Sequence, residues 1–167
     1  MSSPPTLLKT AVFTVLVPGT VVVAIPRALA RYDRESPSLD SRAARLVGDV
    51  SFAVGSLLYL HTAFRFASEG DGTPAPRDEP DDLVTGGVYR YTRNPMYIGV
   101  LLCLIGQAVR YRSLHVCWWT LVCWLGFHRR ILEYEEPHLR EKHGDAYEEY
   151  CERVPRWVPR VLEYRSH

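Results

Sequence analysis

Two short stretches hold most of the residue types that do chemistry in this chain: Arg93-Asn94-Pro95-Met96-Tyr97, and His128 with Glu135 and Glu136 further on. Asn-Pro is a helix-start signal, because an Asn side chain can cap unpaired backbone N–H groups and Pro fits the first turn without losing a hydrogen bond. A helix start carries partial positive charge, so one beginning at Asn94-Pro95 favours an anionic group such as a carboxylate. Arg93 beside it adds a full charge and a two-pronged donor. In the second stretch, helical spacing sets Glu135 and Glu136 on the same face as His128, as i+7 and i+8. A solvated helix surface is the competing account of such paired glutamates.

The elements that must position these residues are apolar. Thr10–Pro26, Val50–Phe64, Asn94–Val109 and Ser113–Phe127 are each free of Asp, Glu, Lys and Arg. Each is at or just under the roughly 17 to 25 residues that a helix needs to cross a bilayer, so each span must extend into its flanks. The first, third and fourth are apolar all round, unlike the striped helices of a soluble bundle. The second is the least span-like, with Asp49 and His61 in or beside it. The expected fold is an all-α integral membrane protein of one domain. About four transmembrane helices lie near residues 7–26, 46–67, 94–110 and 113–135, with a loop over 69–93 and a C-terminal helical tail over 136–167.

Basic residues set the orientation. With four spans, thirteen Lys and Arg fall on the side holding both termini and the 65–93 connector, against seven on the other. The positive-inside rule then puts both termini and the chemistry-bearing stretches in the cytoplasm. Lys9, the first apolar run and Ala28-Leu29-Ala30 also resemble a signal peptide, but Arg27 interrupts that pattern and Pro18-Gly19 suits a retained helix. The chain has 167 residues and a formal charge of +1, which gives no reason to expect a nucleic-acid partner. Its four cysteines have neither metal-ligand nor redox spacing, so no metal site is implied.

Glu69 to Pro80 is rich in Gly, Pro and acid and reads as a loop, either a linker or a flap over a site. After Gly144, the spacing of Tyr147, Tyr150, Val154 and Trp157 makes an amphipathic segment, one that rests on the membrane or closes a pocket.

The run Gly87-Val88-Tyr89-Arg90-Tyr91-Thr92-Arg93-Asn94-Pro95-Met96-Tyr97-Ile98-Gly99 is followed, after two apolar stretches, by Glu135-Glu136-Pro137-His138-Leu139, His143-Gly144, Tyr147, Tyr150 and Val154-Pro155. In order and spacing this half of the chain resembles the isoprenylcysteine carboxyl methyltransferase family and its phospholipid methyltransferase relatives. The resemblance implies a membrane-embedded enzyme that takes a methyl group from S-adenosyl-L-methionine without a soluble dinucleotide fold. No glycine-rich nucleotide fingerprint is present, in agreement. It implies that Asn94, Pro95, Met96 and Tyr97 contact the cofactor, that Tyr89 and Asp81-Asp82-Leu83-Val84 complete the wall, and that Glu135 is the cofactor-binding glutamate. His128, Glu136 and Arg93 are the candidates for catalytic help on the acceptor side, where a base is needed only for an acceptor that arrives protonated.

Two departures refine the expectation. The family often has His where this chain has Asn94. The eukaryotic prenylcysteine enzymes place an Arg four residues before the binding glutamate, where this chain has Ile131, with Arg129 and Arg130 pointing elsewhere on a regular helix. That argues against a prenylcysteine carboxylate and leaves a small amphipathic or lipidic acceptor reached from the bilayer, with carboxylate, thiol or amine all open. Gly72 to Pro76 resembles the bacterial branch, which implies a bacterial cell membrane. Two other functions compete: an NADPH-dependent reductase of the membrane sterol-reductase kind, and a noncatalytic membrane protein that binds lipid or a partner.

Overall fold

The computed structural model describes residues 19–33, 42–69 and 83–159, and every regular element among them is helical. Residues 7–18 of the first expected span lie outside the described residues, as do Gly72–Pro76, Asp81 and Asp82. α1 (Gly19–Leu29) begins as a π-helical turn over Gly19–Ala24 and tightens to an α-helix over Ile25–Leu29. Side chains of other helices take carbonyls in the wider turn: Gln107 donates to Val22, and Trp119 Nε1 donates to Val21 at 3.1 Å. Irregular backbone survives in apolar surroundings only when protein groups satisfy it in this way.

α2 (Arg42–Glu69) and α3 (Pro95–Tyr111) form the central antiparallel pair. Gly48 meets Gly106 and Gly55 meets Gly99, so each helix brings two glycines one heptad apart to the contact. A Cβ on Gly55 would lie 2.5 Å from the Gly99 carbonyl oxygen, and one on Gly48 would lie 2.6 Å from that of Gly106. The backbones therefore touch, as small residues permit between membrane helices. Between the two glycine contacts, Ser51 Oγ donates to the Leu102 carbonyl at 2.8 Å. Val22, Tyr59, Val100, Leu104 and Cys123 join four helices in one buried cluster.

A tight turn joins α3 to α4 (Leu114–Arg130): Arg112 closes one helix at φ 50°, and the Ser113 hydroxyl caps the next by accepting from Val116 N–H at 3.0 Å. α4 runs through a π-helical turn, Ile131–Glu135, into α5 (Glu136–His143). Pro137 lies in the first turn of α5 and cannot donate to Glu133, whose carbonyl its ring would strike in a regular helix. Widening the preceding turn by one residue relieves that clash, and Glu136 N–H bonds back to the Ile131 carbonyl. α6 (Asp145–Arg153) follows Gly144 and buries Tyr147 and Tyr150.

Of the described helices, α2 is the one long and apolar enough to cross a membrane. Only 17% of its apolar window is buried, whereas the core helix of a soluble protein would be mostly buried. Val50, Val54, Leu57, Leu60 and Phe64 are exposed along it. α2 meets this requirement by its length, although it contains the stretch that Asp49 and His61 make least span-like. Asp49 does not stand alone there: Arg110 of α3 pairs with it. α3 and α4 are each 17 residues long.

Candidate functional site

The sequence candidates fall into two clusters around the start of α3. In the first, side chains of α3 and α4 converge on Glu135. Tyr97, in the first turn of α3, donates its hydroxyl to Glu135 Oε1, and Arg130 Nε donates to the same oxygen at 2.8 Å. Phe127 stacks on the Tyr97 ring at 4.6 Å. Tyr89 is buried nearby in the short 3₁₀ turn Gly87–Arg90, where its carbonyl accepts from the Tyr150 hydroxyl at 2.7 Å. Burial pushes the Tyr89 phenol well above the ordinary value, and the neighbouring Tyr150 and Glu135 add to the shift, so the hydroxyl stays protonated. Glu135 is 25% exposed, and its Oε2 has no partner among the described residues.

The π-turn makes this arrangement. In a regular helix the residue four before Glu135 would lie above it, and that is Ile131. In the wider turn the residue five before takes the place, and that is Arg130. The expectation that Arg130 points elsewhere is therefore corrected, and Ile131 is buried instead. The Arg130 guanidinium also lies over the Tyr134 ring, 5.2 Å from its centroid. Pro137 was the available signal, because a proline there disturbs the register just upstream.

The second cluster ties the loop before α3 to the C-terminal segment. Glu136 is 3% exposed. Arg156 grips it with two bonds, Nε–Oε1 at 2.6 Å and Nη2–Oε2 at 2.9 Å, while Arg93 Nη1 stands 3.2 Å from Oε1 and Arg140 Nη2 3.6 Å from Oε2. Burial alone would raise the Glu136 pKa, but Arg156, Arg93 and Arg140 together hold it below the ordinary value. Arg93 Nη1 also reaches Cys151 Sγ at 2.6 Å.

Backbone bonds reinforce the tie. Arg93 N–H donates to the Pro155 carbonyl at 2.9 Å, Thr92 Oγ1 to those of Arg156 and Trp157 at 3.1 and 3.2 Å, and Asn94 Nδ2 to that of Arg156 at 3.1 Å. Asn94 does occupy the N-cap position of α3, but its side chain makes no capping bond. The expected cap is thus absent, the amide nitrogen being bonded to the tail instead, and the first turn of α3 keeps N–H groups without a side-chain cap.

The remaining candidates scatter. His128 does not join either carboxylate: its Nδ1 accepts from Trp157 Nε1 at 3.2 Å, and its ring stacks on Trp124 at 5.5 Å. The shared face expected for His128, Glu135 and Glu136 assumes a regular helix, and the π-turn breaks it. Leu83 packs against Tyr147, Tyr150 and Val154, while Pro95 is buried and Met96 borders the central core. Val84 is half-buried in the same loop. Thr92, Arg130 and Arg156 were not anticipated as partners of these groups.

Residues 43–146 match the family model described as phospholipid methyltransferase, a stretch that includes Tyr89, Arg93, Asn94, Tyr97, Arg130, Glu135 and Glu136. The chain belongs to that family. This family member is 40% identical over 86 residues to protein-S-isoprenylcysteine O-methyltransferase B of Arabidopsis thaliana, covering 51% of this chain and 43% of the relative. It is 35% identical over 86 residues to protein-S-isoprenylcysteine O-methyltransferase of Schizosaccharomyces pombe, covering 51% and 36%. It is 30% identical over 101 residues to phosphatidylethanolamine N-methyltransferase B of Dictyostelium discoideum, covering 58% and 49%. The chain thus spans less than half the length of these curated relatives. All three are eukaryotic, and the likeness to a bacterial branch gains no support from them.

Proposed function

We propose that this family member is a multi-pass membrane methyltransferase that binds S-adenosyl-L-methionine at its cytoplasmic face and methylates a lipidic or amphipathic acceptor. The observation that supports the reading is the convergence of Tyr97, Phe127 and Arg130 on Glu135, whose Oε2 accepts no hydrogen bond among the described residues. An unpartnered carboxylate oxygen suits the ribose diol or the ammonium of the cofactor, and the N–H groups in the first turn of α3, which lack a side-chain cap, suit its carboxylate. Bound there, the cofactor would supply an electrophilic methyl group on a sulfonium. Tyr89, Tyr97, Phe127 and Met96 would shape the wall, and Asp81, Asp82, Leu83 and Val84 remain part of it by the family resemblance.

In this reading the tail clamp positions the site. Arg93 and Glu136 hold the loop 92–94 through Arg156, and Asn94 adds its bond to the same residue. A carboxylate already gripped by arginines is a poor base, so Glu136 anchors and does not take a proton from the acceptor. His128 and its two tryptophans line the acceptor side, where the Nδ1 lone pair is taken by Trp157 and the neutral ring would present Nε2–H as a donor. Arg130, five residues before Glu135, restores a cation for an acceptor carboxylate, which favours that class over thiol or amine. The four spans, with both termini cytoplasmic, rest on the apolar segments and the bias of basic residues.

Calorimetric titration of detergent-purified protein with S-adenosylhomocysteine and, separately, NADPH tests the reading. Binding of the first is expected, and Glu135→Ala is expected to weaken it about tenfold, the loss of a charge-assisted bond, while the exposed Glu133→Ala leaves it unchanged. Binding of NADPH alone would mean a reductase, and binding of neither a noncatalytic protein. Mass spectrometry of membrane extracts incubated with a labelled methyl donor would then identify the acceptor.

A further inference from the structure

A second polar cluster lies at the opposite end of α3. Arg110 is thirteen residues beyond Tyr97 and so about 20 Å along the helix. Here a cavity of about 270 Å³ opens between α1, α2 and α3, with Val23 and Phe52 as apolar walls and Arg27, Asp49, Arg110 and Tyr111 as its polar lining. Arg110 Nη1 contacts both oxygens of the Asp49 carboxylate, so those two charges cancel. The other nitrogens of that guanidinium make no hydrogen bond among the described residues. Arg27 is exposed and has no ionic partner among them either. One positive charge is therefore left over, beside two apolar walls and unused guanidinium donors.

We propose that this cavity binds the headgroup of an anionic phospholipid, with the phosphodiester between Arg27 and Arg110. The charge matches: a phosphodiester monoanion neutralises the one cation left over among the described lining residues, and guanidinium donors suit phosphate oxygens. The place matches as well. The cavity lies where the apolar run of α3 ends at Val109 and that of α2 begins at Val50, the level at which long basic side chains reach headgroups. At about 270 Å³ it falls just below the roughly 300 to 1,000 Å³ of ordinary small-molecule sites, so a headgroup fits and acyl chains do not. The chains have a path outside, because Val50, Val54 and Leu57 lie exposed along α2. A free phosphate would leave Val23 and Phe52 without a counterpart. A glycerol ester would bury against them.

Native mass spectrometry of the full chain, titrated with dioleoylphosphatidylglycerol or dioleoylphosphatidylcholine, tests the proposal without reference to methyl transfer. The anionic lipid is expected to bind more tightly. Arg27→Gln should weaken it about fivefold, as suits one partly exposed charge-assisted contact, and should leave the zwitterionic lipid unchanged. Asp49→Asn removes the competing carboxylate, frees Arg110, and should tighten the anionic lipid. Equal binding of both lipids, unchanged anionic-lipid affinity in both variants, or weakening in both would overturn the proposal, the last by showing a merely structural ion pair. Displacement of the lipid by millimolar inorganic phosphate would overturn it in favour of a free-anion site.

Discussion

α2 meets α3 through glycines, whereas the loop before α3 meets the C-terminal segment through arginines, a buried carboxylate and backbone carbonyls. Both contacts join segments distant in sequence, but in different surroundings. In the proposed membrane arrangement an unpaired charge among lipid tails is costly and close backbone approach is the cheaper source of attraction, which suits helices that meet where side chains are missing. At the clamp water would compete for each exposed arginine, and the contact holds because Glu136 is buried and several donors converge on it. The difference teaches which substitution hurts each region most: added volume at the glycine contacts, and loss of charge at the clamp.

The clamp should break hardest when the carboxylate is neutralised. Glu136→Gln keeps the shape and leaves Arg93 and Arg156 facing an amide, and removing one partner of a buried ion pair costs about 4 kcal/mol. Thermal unfolding in detergent would show it, and an unchanged midpoint would remove the clamp from the account. The pH dependence carries the same signature. Glu136 has a folded pKa below its ordinary value of 4.5, so its contribution is fully present above that pH and is lost as pH falls below it. The gap between wild type and Glu136→Gln should therefore narrow on acidification from that point.

Gly55→Ala tests the other side of the comparison and should cost less. The added methyl meets backbone, the Gly99 carbonyl oxygen and the Cys103 nitrogen, which cannot rotate away, so the helices must separate. Overpacking of that kind costs about 3 kcal/mol, offset by about 1 kcal/mol of better helix propensity, for a net loss of about 2 kcal/mol. Gly126, on α4, is the control: a methyl there meets nothing within 4 Å, and Gly126→Ala should be neutral or slightly stabilising. Equal losses at Gly55 and Gly126 would mean that the glycine contacts are not what holds α2 to α3.

Much of this was legible in the sequence, and the exceptions share a cause. The start of α3 follows from Asn94-Pro95, and the break between α3 and α4 from the ends of the apolar runs at Val109 and Ser113, which are local signals. The family pattern singles out Tyr97 and Glu135, and the two side chains meet in a hydrogen bond. The glycine register was not read, because pairing Gly48 with Gly106 and Gly55 with Gly99 needs the antiparallel alignment of two helices that sequence spacing does not supply. Arg130 was misplaced because helical-face reasoning assumes a constant turn, and one π-turn moved every upstream residue by one position relative to Glu135. The partners of Glu136 lie twenty residues on and forty-three back, and nothing local marks Arg156 or Arg93 as facing it.

The smallest expected effect falls where the two regions meet, at Asn94. As a helix cap its side-chain oxygen would accept from the first turn of α3, and Asn94→Asp would keep or improve that bond while adding favourable charge at the helix start. As a strand of the clamp it donates Nδ2–H to the Arg156 carbonyl, and an aspartate has no donor to offer and sets two oxygens against each other. The cap account therefore has Asp as stable as Asn or more so. The clamp account has Asp at least as destabilising as Ala, each by about 1 kcal/mol for one lost hydrogen bond. Because Arg156 also holds Glu136, the Asn94→Asp loss should shrink in a Glu136→Gln background if both act on one segment. Strict additivity would place Asn94 with the helix and outside the clamp.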